Sequence, residues 1–406
     1  PPLPATATTE IYTLGRSSAA SDVYKRQASV EMCWDTMAQE WDVDVGPGIS
    51  EIDKPEVDLD AVKDAAKLVA GAKNIMIMCG GGAQHASEEV RALAEMLGAS
   101  VTAFRSGRGV VAEDHECGAS SAAARLLWDE TDLLIGIGSR LELQFMRWGS
   151  MDHYHQRPPE GSPKVIRIDI DPTEMMRFQP DVGVVADSVD GTRALIGEIE
   201  KQGHSAGDLE RIADAKARAR KNIEEIQPQL SYLDKIRELL PRDGYFVEEL
   251  CQVGFTSNFG FEVYQPRTYV STGYQGTLGF GFPTAIGVKA AMPDRAVVSI
   301  TGDGGFLFGM PELASAVQQN IGVITVVFNN SSYGNVRRDQ QLKYEGHLIG
   351  ADLDNPDMLK LAESFGADGY RVASPEELKP VLEKAIDNDR PAVIDVTVER
   401  GSETSP

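Results

Sequence analysis

"TGDGGFLFGMPELASAVQQNIGVITVVFNN" (Thr301–Asn330), with the "AVVSI" (296–300) that leads into it, decides the fold. "AVVSI" and "VITVVF" (323–328) have the near-continuous apolar character of strands covered on both faces. Between them "PELASAVQQ" sets Pro311 in a first helical turn and Leu313, Ala316 and Val317 on one side of a helix. Strand, helix and strand in this order predict a right-handed crossover joining two parallel strands. If these are neighbours, Asp303 and Asn330 lie in adjacent loops at the carboxyl edge of the sheet, where open α/β sheets bind ligands.

Outward from this unit the same alternation recurs. Short β-type runs occur at "NIMIMC" (74–79), "SVTAF" (100–104), "DLLIGIG" (132–138), "KVIRIDI" (164–170), "GVVAD" (183–187), "TYVST" (268–272) and "AVIDVTV" (392–398), separated by helical stretches. This predicts an α/β chain of two doubly wound, mainly parallel-sheet domains. "DLERIADAKARARKNIEEIQ" (208–227) is charged nearly all round and reads as a surface linking helix, with Pro228 helping to end it. The expected divisions are a central Rossmann-like domain over 58–200, a linker over 201–232, a second α/β domain over 233–400 and a tail over 401–406. Residues 1–27 show no sustained periodicity, and "SSAASDVYKRQ" resembles translated sequencing adapter, so they are set aside as a non-native or disordered leader.

Composition narrows the partners. With 39 Lys plus Arg against 62 Asp plus Glu the net charge is −23, which repels nucleic acid and anionic membrane surfaces. The four cysteines form no C-x-x-C pair, so neither a zinc site nor a disulfide framework is expected, and a reducing cytoplasm fits. No apolar run reaches the ~18 residues of a membrane helix.

One carboxylate and one carboxamide at a sheet edge are hard oxygen donors of the kind Mg²⁺ uses, completing its shell with phosphate oxygens and water. Between Arg295 and Arg337 there is no Lys, Arg or His. A diphosphate bound there must be held by a metal, by backbone N–H groups around Gly304 and Gly305, and by a helix N-terminus. A divalent ion facing a unit charge at ~4 Å gains roughly 8 kcal/mol at an effective dielectric of ~20, before desolvation. Either "GDG" or "NN" alone is an ordinary turn; both at two parallel strand ends point to a metal–diphosphate site. A Walker-type loop is absent.

G-D-G followed by about two dozen residues and N-N resembles the signature of thiamine diphosphate enzymes of the acetolactate synthase, benzoylformate decarboxylase and oxalyl-CoA decarboxylase superfamily. The resemblance implies Mg²⁺ ligation by Asp303, Asn330 and the Ser332 carbonyl, with Gly302, Gly304, Gly305, Tyr333 and Gly334 bordering the diphosphate. "GYQGTLGFGFPTAIG" is similar to the family's glycine-rich region, which implies the Gly276 carbonyl against the cofactor's 4′-amino group and Leu278 as the apolar prop beneath its bent form. Ordinary core packing is the other reading of Leu278. Gln252 reads as either a diphosphate neighbour or a solvated turn residue.

The likeness runs over about 28–400. "VIRIDIDPTE" and "LLIGIGSRL" resemble the middle domain, and "ASVEMCWDTM" resembles the last strand of the pyrimidine-binding domain, so 28–57 is expected to be a remnant of that domain and its linker. The family's activating glutamate belongs to the part of that domain not seen in this sequence. Glu248 and Glu249 are not promoted to its role, because helix-surface glutamates are far commoner. The implied activity is decarboxylation of a 2-oxo acid, with or without carboligation, in a parent homodimer or homotetramer. No catalytic residue is assigned.

The glycine-rich "CGGGAQHASEEV" invites a dinucleotide reading, but His85 stands where the fingerprint needs its third glycine or alanine. The middle domain is therefore expected to be structural and without FAD. His85, His153 and His155 read as loop or surface residues, and Arg337 or Arg338 as substrate-side or surface arginines. The rival functions are a non-catalytic cofactor-binding fragment and a nicotinamide-dependent oxidoreductase.

Overall fold

A computed structural model describes residues 17–22, 27–32, 34–40, 42, 54–148, 160–273 and 276–401. An antiparallel hairpin comes first, β1 (Ser17–Asp22) pairing with β2 (Gln27–Met32) from Ser17 opposite Met32 to Asp22 opposite Gln27. The segment set aside as a leader thus contributes a strand. This hairpin belongs to one compact unit, and Lys54–Pro406 forms another.

Within the second unit, β3 (Ile75–Cys79), β4 (Ser100–Ala103), β5 (Leu133–Ile137), β6 (Lys164–Asp169) and β7 (Val182–Val185) form a five-stranded sheet. Its order is β4-β3-β5-β6-β7 and every pair is parallel. The second sheet holds β8 (Tyr245–Glu248), β9 (Tyr269–Ser271), β10 (Val297–Gly302), β11 (Ile324–Asn329), β12 (Asp368–Val372) and β13 (Ala392–Thr397). It runs β12-β13-β11-β10-β8-β9, again all parallel. Two doubly wound α/β layers result, as the alternation requires. Each sheet has apolar clusters on both faces: Ile77, Leu93 and Ile135 on one side of the first, Met76, Leu134 and Phe145 on the other. Phe246, Ile300 and Val326 face one side of the second, Val247, Val297 and Val327 the other.

Sheet order locates the crevices. In each sheet the order reverses beside its first strand, between β3 and β5 and between β8 and β10, and ligands bind at such points. The first crevice is closed by backbone. A Cβ added to Gly80 would lie 2.1 Å from the Gly138 carbonyl oxygen, and Gly82 N–H donates to that same oxygen at 3.2 Å. Gly80 and Gly82 are thus accounted for by close contact between two turns.

Two local expectations change. Asp303 does not sit in a loop but opens a helix, Asp303–Gly309, which passes through a tight turn at Met310–Glu312 into Leu313–Gln318. The linking helix, Leu209–Ile223, is not polar all round: Ile212, Ala215 and Ala219 are buried, and Ala219 packs against Ala119 and Ala123. A stripe made mostly of alanine, one residue per turn, made that face invisible. It ends at Ile223, before Pro228, which instead caps the helix Gln229–Leu239.

The sheets are joined through Arg108. Its buried guanidinium meets Glu113 at 2.8 and 2.9 Å, donates to the Ser257 carbonyl at 2.8 Å and to that of Phe261, and lies 4.4 Å above the Tyr269 ring. Among the described residues no helix is long and apolar enough to cross a membrane.

Candidate functional site

β10 and β11 are parallel neighbours, with Gly302 opposite Phe328, so the residues that follow them emerge side by side. Ser331 takes φ 52° and turns the chain so that Ser332 meets Asp352 across an isolated antiparallel bridge. Tyr333 N–H donates to the Ala351 carbonyl and Leu353 N–H to that of Ser331, a pattern that leaves the Ser332 N–H and C=O facing the opposite edge. The Ser332 N–H is shared there by Asp303 Oδ2 at 3.2 Å and Asn330 Oδ1 at 3.1 Å. One backbone donor therefore draws the carboxylate and the carboxamide oxygen together.

Asp303 is 2% exposed, and burial raises its pKa while hydrogen bonds from Asn355 and from backbone N–H groups pull the other way. Asn355 Nδ2 donates to Asp303 Oδ2 at 2.7 Å and to Asn329 Oδ1 at 2.9 Å. Asn329 in turn donates to Asp395 at 3.0 Å, and Arg371 closes the chain by pairing with Asp395 at 2.9 Å and Asp357 at 3.0 Å. Among the described residues no ion pair reaches Asp303. A buried acid surrounded by neutral donors is suited to receive a cation from outside the chain.

A cavity of about 260 Å³ opens over these groups. Leu278, Gly302, Asp303, Gly304, Gly305, Asn330, Ser332, Tyr333 and Gly334 line it, together with Gln252, Cys251 and an apolar wall that includes Tyr232, Phe255 and Phe328. Gly276 is not in the lining: it takes φ +60° and packs on Leu250, whose Cδ1 would be 2.6 Å from an added Cβ. Leu278 is 40% exposed at the cavity and does not belong to the core. Gln252 begins the helix Gln252–Gly260 and donates to Asn335 Oδ1 at 2.6 Å across the cavity. Gly304 and Gly305 are glycines for packing reasons: a Cβ would lie 2.4 Å from the Tyr333 ring in the first case and 2.0 Å from Glu249 Oε1 in the second.

Other candidates lie elsewhere. Arg337 pairs with Asp352 at 2.9 Å and Arg338 with Asp339 at 3.6 Å, and neither lines the cavity. His85 lies against the Arg267 guanidinium; His153 and His155 are outside the described residues. Glu248 and Glu249 correct the expectation of helix-surface glutamates, since Glu248 ends β8, Glu249 directly follows it, and they are 1% and 0% exposed. β8 escaped notice because its "YFVE" is four residues long and runs directly into a second acid, a pattern that resembles an amphipathic helix more than a buried strand. Asn355, in an N-P-D turn, and Asp395, inside β13, carried no local signal for the network they complete.

Two family models match the chain: "Thiamine pyrophosphate enzyme, central domain" over residues 62–195 and "Thiamine pyrophosphate enzyme, C-terminal TPP binding domain" over 251–396. Relatives include a probable acetolactate synthase large subunit of Methanocaldococcus jannaschii, 33% identical over 83% of this chain and 60% of the relative. The acetolactate synthase large subunit of Corynebacterium glutamicum is 31% identical over 89% and 60%. A probable 2-ketoarginine decarboxylase of Pseudomonas aeruginosa is 31% identical over 79% and 56%. The chain spans about three fifths of the length of these relatives. Most of the lining of the cavity at the β8–β10 crevice falls within the matched cofactor-binding domain, and the chain belongs to the thiamine pyrophosphate enzymes of acetolactate synthase-like type.

Proposed function

We propose that this chain binds thiamine diphosphate through Mg²⁺ and forms part of an enzyme that decarboxylates a 2-oxo acid, with carboligation as a further outcome. The observation that supports it best is the single Ser332 N–H shared by Asp303 and Asn330. Asp303, Asn330 and the Ser332 carbonyl would hold the metal, a hard-oxygen set that leaves room for phosphate oxygens and water. Among the described residues no three His, Cys, Asp or Glu side chains converge into a metal cage, and a metal shared with a diphosphate needs none.

The bound cofactor would supply a nucleophilic carbon for the oxo-acid carbonyl and, in its cationic ring, a sink for the electron pair left by departing CO₂. The residues of this chain bind, orient and exclude water. Asn355 orients Asp303, Tyr333 and Gly334 border the diphosphate, Leu278 props the ring portion and the Gly276 carbonyl would accept from its amino group. Tyr232, Phe255 and Phe328 keep the inner wall dry, which strengthens each polar contact. Relatives named for an acetolactate synthase and a 2-ketoarginine decarboxylase support an oxo-acid substrate. The whole enzyme would be a homodimer or homotetramer. A reducing, cytoplasmic setting is supported by the buried free thiols of Cys79 and Cys117.

Binding is the direct test. Thiamine diphosphate with Mg²⁺ should raise the melting temperature, and a chelator should abolish the shift. Asp303→Asn should weaken Mg²⁺-dependent binding by about a hundredfold or more, roughly 3 kcal/mol, with the fold retained. Binding that ignores both Mg²⁺ and this substitution would remove the reading.

A further inference from the structure

Glu249 directly follows β8, beside the crevice between β8 and β10, is fully buried, and is neither a metal ligand nor part of the cavity wall. Its Oε1 accepts from Gly279 N–H at 2.7 Å and its Oε2 from Gly281 N–H at 2.6 Å. Burial raises its pKa, while these N–H groups and the Thr301 hydroxyl favour the ionised form. The same carboxylate stands over Gly305, where an added Cβ would be 2.0 Å from Oε1. One side chain therefore touches both the loop that leads into the helix Gly281–Ala291 and the first turn of the helix that Asp303 opens.

The next residue completes the arrangement. Leu250 fills the space beneath Gly276, and Glu249 fixes Gly279 and Gly281. Leu278 lies between these two anchors and reaches the cavity at 40% exposure. In a run containing three glycines from 276 to 281, where glycine leaves the backbone free, these anchors add to the packing of Gly279 on Phe308 in limiting where Leu278 points.

We infer that Glu249 is a positioning residue, setting Leu278 and the Gly276–Gly281 loop at a fixed distance from Asp303, so that the two ends of one ligand are held in register. The inference rests on the proposed cofactor reading and assigns the carboxylate no contact with the cofactor. A carboxylate suits the task because it accepts two parallel N–H bonds at once, whereas an amide of the same size turns one donor against another.

The full chain and its Glu249→Gln variant should be compared by equilibrium dialysis with two probes in Mg²⁺: thiamine diphosphate, which spans both ends, and inorganic pyrophosphate, which occupies only the metal end. The expected result is a loss of about tenfold or more for thiamine diphosphate and less than about threefold for pyrophosphate. In a Leu278→Ala background the same substitution should leave the ratio of the two affinities unchanged. Equal losses for both probes, or none, would overturn the assignment. Should E249Q fail to fold, amide exchange in the wild-type chain decides, since Gly279 and Gly281 must be protected and fast exchange at both refutes the anchor. If the wild type binds neither probe while those amides are protected, the cofactor reading is what fails, and the positioning role falls with it although the brace remains.

Discussion

Glu248, beside the brace, shows what a buried acid does when its oxygens lack partners. Burial pushes its pKa from 4.5 up to about 7, assisted by Glu249 and opposed by Ser271, the Thr272 N–H and Arg105. Tyr269 and Cys251 also face it, and neither of its oxygens completes a hydrogen bond of ordinary geometry. Below pH 4.5 the group is protonated folded and unfolded and costs nothing. As pH rises from 4.5 to 7 the unfolded chain loses its proton first, so stability falls, and above 7 the full penalty, on the order of 3 kcal/mol, persists. Glu248→Gln should therefore raise the urea midpoint at pH 8 by more than at pH 5. An equal effect at both pH values would contradict the assignment.

The elements that the sequence made plain are those whose function lies in their own composition. β10 and β11 are near-continuously apolar, and the acid and amide that follow them stand out against those runs. β8 and β12 were not legible, since "YFVE" is short and "DGYRV" mixes charge with apolar residues at an edge. The helix opening at Asp303 was also hidden: three glycines among its seven residues argue against a helix, and tertiary contacts with Tyr333 and Glu249 override that propensity. The juxtaposition of Asp303 and Asn330 could be read from their spacing, whereas Asn355 and Glu249 act only across the fold and have no local signature. Contact at Gly305 offers a check on this level. Gly305→Ala should cost about 1–3 kcal/mol by overpacking against Glu249. In a Glu249→Ala background the cost should shrink by about 0.5 kcal/mol or more, measured as a double-mutant cycle.

At the scale of the molecule, a buried cation stands in the contact between the two sheets, beside exposed pairs such as Arg242 with Asp114. Arg108 belongs to the first by sequence, yet it satisfies carbonyls of Ser257 and Phe261 in the second, while Glu113 accepts from Val263 N–H at 3.2 Å. Arg108→Met should cost about 3–5 kcal/mol, because Glu113 is left buried without its partner, and denaturant unfolding measures it. An arginine that completes both halves also couples their survival. Heat should melt residues 54–401 as one co-operative unit, giving a single calorimetric transition whose van't Hoff and measured enthalpies agree. Removing the guanidinium should split that peak in two, each half then answering to its own core.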